Sequence, residues 1–251
     1  MSTVRQLGFD PVVFKLAWIG FPKYVRDLIA FRLLSRNCAN KRKQISLSPV
    51  FGDHRVSSGA ARGHYFWQDL ICAQWIYKAN PAEHFDIASR VDGFVAHLLS
   101  FRKVSILDIR PLGVVVPNLD VQLGDAQSSL EEFAERYTSV SSLHSIEHFG
   151  LGRYGDELDP DGHRKGLQNI AECVAKNGLL YVSFPIGIAS VEFNAQRIIH
   201  PLWPIEQLPN FKLEEFVLIP WSDEPIFGMH PNDVNLTISG QAGLYRFKRI
   251  E

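Results

Sequence analysis

The stretch HFDIASRVDGFVAHLLSFRKVSILDIR, His84 to Arg110, decides how the chain folds. Phe85 and Ile87 flank Asp86, and Val104, Ile106 and Leu107 lead to Asp108, so two short apolar β runs each close on an acid. Between them Val91, Phe94, Val95, Leu98 and Leu99 recur at the 3.6-residue spacing of a helix lying on a sheet. A strand, a crossover helix and a parallel strand of this size make one nucleotide-binding half of a doubly wound α/β fold. The turn holding Ala88, Ser89, Arg90 and Gly93 then sits where a cofactor meets a helix N-terminus. Asp108, ending the next strand, can accept hydrogen bonds from both hydroxyls of a ribose.

Working outward, HYFWQDLICAQWIYKANP (64–81) reads as a helix that stops before Pro81 and packs on the sheet. His64 and Tyr65 at its start can line the cofactor mouth, while Gln68 and Asp69 can face solvent. Downstream, LDVQLGDAQ gives a third strand with Gly124, Asp125 and Ala126 at its carboxyl end. SSLEEFAERYTSV reads as a helix capped by Ser128 or Ser129, with Glu131 and Glu132 favouring its dipole. YTSVSSLHSIEHFG (137–150) is a fourth strand running into a helical turn, followed by the glycine-rich polar loop 150–163. GLQNIAECVAKNG is a helix ending at Gly178, LLYVSFPIG a buried strand, and LEEFVLIPW with AGLYRFKRI a closing antiparallel pair. FNAQRIIHPLWPIEQLPNF (193–211) is placed to form a substrate wall.

Composition bounds the class. With 46% apolar and 21% charged residues over 251 positions, the chain is ordinary for one sizeable α/β domain with additions. Residues 1–48 hold nine Lys/Arg against Asp10 and Asp27, net +7, leaving −8 for the remainder. That segment predicts a basic amphipathic helical extension, a second helix starting at Pro22. Its aromatic and basic residues over 11–43 suit either a packed extension or peripheral contact with the inner face of an anionic membrane. No signal peptide and no apolar run near the ~20 residues of a membrane span is visible. The three cysteines are far apart, which together suggests a cytoplasmic protein without structural zinc. The acidic main domain argues against nucleic acid, and the missing GxGxxG against a nicotinamide cofactor.

Asp86, Asp108, Gly124-Asp125, SSLHSIEH and NGLLYVSFP, taken in order, resemble class I S-adenosylmethionine-dependent methyltransferases. Within that superfamily GHYFWQDL, FDIASRVDGF, LDIRPL, LHSIEHFGLGRYGD, SFPIG and FNAQR are similar to a methyltransferase-like family of unassigned function often encoded near glycan-synthesis genes. The resemblance implies a Rossmann-like, doubly wound, seven-stranded sheet over residues 49–251, its last strand antiparallel and inserted beside its neighbour. It implies S-adenosylmethionine as cofactor and O-methylation of a sugar or glycan intermediate, as in polysaccharide biosynthesis. The alternative is a non-catalytic scaffold that binds a glycan-synthesis partner or a membrane. Carried across, Asp86, Ala88, Ser89 and Gly93 match the cofactor loop, Asp108 the ribose acid and Ile109 the adenine wall. Asp125 and Ala126 match the adenine edge, Ser142 and Leu143 the strand end beneath the sulfonium. The sequence departs from the usual acid-x-Gly-x-Gly-x-Gly loop: Ala88, Arg90 and Asp92 stand at the glycine positions, with Gly93 out of step.

Methyl transfer asks a protein to position the acceptor and remove its proton. His144, Glu147 and His148 form the candidate catalytic cluster, with a loop-bonding histidine as the alternative for His148. If helical, His144 and His148 share a face, but no third ligand supports a metal. His64, Tyr65, Tyr154, Asp156, Asn194 and Arg197 are the candidate acceptor contacts; a loop-ordering network is the alternative for Asn194 and Arg197.

Overall fold

Period-two alternation along each strand builds two cores, one on either face of a sheet. The computed structural model describes residues 11–35, 46–51, 61–222 and 224–251, without the side chains of 11–13. Two compact units emerge, Met1–Ala60 and Ala61–Glu251. Among its described residues the first holds one helix, α1 (Pro11–Ser35), with Pro22 inside it rather than starting a second. Phe51 packs on this segment, its ring centroid 6.4 Å from Phe21 and 6.0 Å from Tyr24, and its Cβ meets the backbone at Gly20. Such packing can offset the hydrogen bond a proline removes. Residues 36–45, with the Lys41-Arg42-Lys43 run, and 52–60 lie outside the described residues.

The second unit is the α/β domain. Helix α2 (His64–Ala79) precedes β1 (His84–Ile87); a π-helical turn (Val91–Val95) runs into α3 (Ala96–Leu99) and β2 (Val104–Asp108). Then come β3 (Leu119–Leu123), β4 (Tyr137–Leu143), α4 (Gly162–Glu172), β5 (Val174–Ile186) and the hairpin β6 (Ser190–Glu192) and β7 (Gln196–Ile198). Helix α5 (Trp203–Gln207), β8 (Phe211–Pro220), β9 (Ile226–Phe227) and β10 (Gln241–Arg249) complete it. The sheet order is β3-β2-β1-β4-β5-β10-β8-β9. β1 to β5 are parallel, and β10 inserts antiparallel between β5 and β8. This is the expected doubly wound sheet, with two-residue β9 added as an eighth strand.

One core joins Phe85, Ile87, Val140, Leu180, Val182 and Phe184 with Leu167 and Ile170 of α4. The other joins Ile106, Tyr181, Val217 and Leu244 with Ile76 of α2 and Phe94 of the π turn. The sheet is therefore covered on both faces, as parallel strands require.

One expected helix is absent and another ends early. Over 128–136 only a 3₁₀ turn, Glu131–Phe133, forms, and 137–140 already belong to β4. One turn suffices to bury Leu130 and Phe133, and Glu135, at φ 53°, then redirects the chain, its N–H donating to Glu172 O. Gly178 caps no helix: α4 ends at Glu172 and Gly178 lies in β5. Between Val174, opposite Tyr137, and Leu179, opposite Ser139, the pairing shifts, and Asn177 there takes the left-handed turn.

The loop after β4 closes on itself where Asp159 N donates to Gly150 O at 3.0 Å. Gly150 has φ 76°, and a Cβ there would overlap the Asp159 carbonyl oxygen. Gly150→Ala combines left-handed strain with a backbone clash and should cost about 2–4 kcal/mol in a urea melt. Unchanged stability would contradict this closure.

Candidate active site

The carboxyl end of β1 is set by Asp86. Its buried carboxylate accepts from Ser89 N (3.0 Å), Ser89 Oγ (2.6 Å) and Ser141 Oγ of β4. Ser89 Oγ in turn accepts from Leu143 N at 2.9 Å, so one acid joins the ends of two neighbouring strands. Burial pushes the Asp86 carboxyl up to about 6, against the opposing pull of the Ser141 and Ser89 hydrogen bonds. Behind it His84 lies fully buried between Ser139 Oγ (2.7 Å) and Ser141 Oγ (2.8 Å). Asp86, Ser89, Ser142 and Leu143 thus form the buried floor and do not line the cleft. Gly93 does not line it either: a Cβ there would sit 2.7 Å from Asp69 Oδ2, so the glycine lets the π turn rest on α2.

Above that floor the carboxyl ends of the strands open into a cleft of about 710 Å³ including its mouth. Ala88, Asp108, Ile109, Asp125 and Ala126 line it together, as do Tyr65, His144, His148, Tyr154 and Asp156. Gly124 lines it beside Asp125, and Leu107, Arg110 and Phe149 add walls that the sequence did not single out. Ala88 has φ 59°, a left-handed bend that a glycine makes without strain. Arg90, which also lines the cleft, forks onto Asp92 at 3.1 and 2.9 Å, and its charge is balanced there. Asp108 receives a fork from Arg110 (2.9 and 2.8 Å), and Arg110 lies 4.6 Å from the centre of the Tyr154 ring. Asp156 is engaged within its own loop, accepting from Gly150 N, Gly152 N and Tyr154 N.

His144 sits at φ 50° just after β4, with its side chain 5% exposed. Its Nδ1 lies 2.8 Å from Glu147 Oε1. A carboxylate only accepts, so Nδ1–H donates to it, and in the neutral ring Nε2 carries the lone pair. Among the described residues Nε2 has no hydrogen-bond partner, and neither has Glu147 Oε2. Glu147 is fully buried and lines no cleft. His148 donates Nδ1–H to Ala195 O at 2.7 Å, and its Nε2 stands 3.8 Å from Glu147 Oε1. Burial lowers His148, with Glu147 opposing. His144 and His148 share no helix, because Ile146–His148 is a single 3₁₀ turn, and the described residues contain no cluster of three metal-ligating groups.

A second cleft of about 1250 Å³ lies beyond, and Tyr65 and His144 belong to both. His64 lines this second one; it bonds Gly240 O at 3.2 Å and stacks on His144 at 5.5 Å. Burial, chiefly, holds His64 down to about 4. The hairpin β6–β7 supplies Ser190, Glu192, Gln196 and Ile198. Asn194 is exposed and lines neither cleft. Arg197 is buried with its guanidinium on the carbonyls of Glu147, Phe149, Asp159 and Pro160, which makes it an organiser of the loops around His148. Gln68 and Asp69 are buried, against the solvent-facing expectation: Ser183 Oγ donates to Gln68 Oε1, and Gln68 Nε2 to Asp69 Oδ1.

Comparison with known proteins agrees with this architecture. A family described as "Caenorhabditis protein of unknown function, DUF268" matches residues 119–203, the span from β3 through the His144 cluster to the start of α5. No curated protein matches. Among solved structures, the methyltransferase domain of bacterial CtHen1-CN is similar at a TM-score of 0.51 with 11% identity, covering 74% of this chain and 100% of that one. A 1,6-didemethyltoxoflavin-N1-methyltransferase of Burkholderia thailandensis, crystallised with its substrate and S-adenosylhomocysteine, reaches 0.50 with 12% identity over 73% and 79% of the two chains. At such identities the likeness establishes the fold: the second unit has the Rossmann-like fold of methyltransferases.

Two outcomes follow from this geometry. A carboxyl raised from 3.8 to about 6 on folding stabilises fully below pH 3.8, and that contribution is lost as pH rises through about 6. Chemical denaturation at a series of pH values should show wild type losing stability relative to Asp86→Asn between pH 4 and 7; parallel profiles would contradict the assignment. Ala88→Gly should relieve the left-handed bend and raise stability by about 0.5–1 kcal/mol, after the entropy cost of glycine. A loss of stability would mean that the alanine methyl contributes packing that outweighs its strain.

Proposed function

We propose that the protein is an S-adenosylmethionine-dependent methyltransferase with His144 as general base. The observation that carries this is that His144 lines both clefts while its buried Nε2 has no hydrogen-bond partner among the described residues. The donor set of the first cleft fits the cofactor. Asp108 and Asp125 offer carboxylates for ribose hydroxyls and an exocyclic amine, with Ile109, Ala126 and Phe149 as apolar wall. S-adenosylmethionine, when bound, supplies an electrophilic methyl group. His144 Nε2 takes the proton of an acceptor hydroxyl, and Glu147 Oε1, fixed on Nδ1–H, orients the ring and stabilises the imidazolium that forms. Tyr65 borders both clefts and helps exclude water; His148 completes the wall of the first. The acceptor reading as a sugar or glycan intermediate rests on the sequence resemblance.

One observation favours the alternative of a non-catalytic scaffold. The Arg110 fork already engages both oxygens of Asp108, so ribose hydroxyls would share that carboxylate or displace the guanidinium. A peripheral membrane contact through residues 11–43 belongs to the same proposal. In α1 it is supported by Trp18, Phe21, Lys23 and Arg26, of which Trp18 is 78% exposed. No described helix is long and apolar enough to cross a membrane.

Isothermal titration with S-adenosylhomocysteine tests the cofactor. Wild type should bind, and Asp108→Asn should weaken binding at least about tenfold, a loss of about 1.4 kcal/mol. His144→Ala should leave that affinity near wild type and lower labelled-methyl transfer about 10²–10⁴-fold. Absence of binding by wild type would overturn the enzyme in favour of the scaffold.

A further inference from the structure

We infer that the second cleft takes an uncharged acceptor that carries an apolar or aromatic body and presents one reacting hydroxyl to His144. The inference rests on the methyl-transfer proposal and narrows its substrate class.

Charge is the first ground. Among the described residues no Lys or Arg lines this cleft, and its one acidic side chain, Glu192, accepts from Gln196 Nε2 at 3.0 Å. His64, held down to about 4 chiefly by burial, is neutral at physiological pH. A phosphate or carboxylate entering here would lose water without gaining a cation. The first cleft differs, since Arg90 and Arg110 line it.

The second ground is the wall itself. Ile186, Ile188, Ile198, Trp221, Leu236 and Ile238 line the cleft. Several of the polar groups among them are already engaged. Gln241 Nε2 donates to Asn235 O (3.0 Å) and Ile238 O (2.7 Å), Thr237 Oγ1 donates to Asn235 Oδ1 (2.8 Å), and His64 Nε2 bonds Gly240 O. His144 Nε2 is, by contrast, a buried polar atom at the partition without a hydrogen-bond partner. Ile188, Trp221 and Ile238 are 66%, 60% and 51% exposed although they line the cavity. An apolar body resting on them removes surface from water that the protein alone leaves wet. A single hydroxyl on such a body is directed to His144; a polyanion finds no Lys or Arg among the described lining residues.

Calorimetry on the full chain separates this from the proposal beneath it. With S-adenosylhomocysteine present, phenyl β-glucoside and phenylethanol serve as neutral probes, and glucose phosphate and a nucleotide diphosphate glucose as anionic ones. At least one neutral probe should bind about tenfold or more tighter than either anion. Ile188→Lys should narrow or reverse that preference. Tighter binding of an anionic probe, or failure of both neutral probes, would overturn the inference even when S-adenosylhomocysteine binds. If S-adenosylhomocysteine does not bind, the methyl-transfer proposal fails, and the same series without it still decides the ligand class of the cleft.

Discussion

A single buried carboxylate sets the geometry on which the site depends. Asp86 on β1 gathers the backbone and hydroxyl of Ser89 and the hydroxyl of Ser141 on β4, and Ser89 passes the constraint to Leu143 N. Three donors converging on one buried acid offset only part of the cost of taking it out of water, which is why its carboxyl is still held up to about 6. The result fixes the ends of two adjacent parallel strands relative to each other. Directly after each fixed end the chain makes a left-handed bend, at Ala88 and at His144, and both bends border the same cleft. Asp86 thus acts on the site from beneath.

The sheet was legible because its signals are collective. Alternation in β1, β2, β4 and β5, the helical stripe from Val91 to Leu99 and the closing strand pair each point to the same doubly wound topology. Asp108, Asp125 and His144 were legible as well, because position at a strand end brings side chains to one rim. What escaped the sequence depended on tertiary contacts. Gln68 and Asp69 look like the polar side of a helix until Ser183 and Gly93 are placed against them. Arg197 looks like a ligand contact until four backbone carbonyls surround it. Leu130 and Phe133 fit a helical pattern, yet the β-rich stretch that follows and a left-handed Glu135 limit it to one turn. Trp221 and Ile238 lie far along the chain from Tyr65, and no local motif links them to it.

The division of labour between the two clefts follows from their walls. The first mixes acids, two arginines and apolar side chains, a surface suited to a polar, partly flat group. The second combines apolar side chains with neutral polar groups and has no Lys or Arg among its described lining. His144 lines both and is anchored at Nδ1, so under the proposed function it would receive the proton of an acceptor in the second cleft beside the first. Glu147 supports that arrangement by direct contact with His144, and His148 Nε2 stands 3.8 Å from the same Glu147 oxygen.

A crystal structure with S-adenosylhomocysteine tests the central claim most directly. The account predicts the ribose hydroxyls on Asp108, with Arg110 drawn aside or sharing the carboxylate, and the thioether end toward His144. Ligand density confined to the second cleft, or an adenosyl group bound away from Asp108, would contradict it.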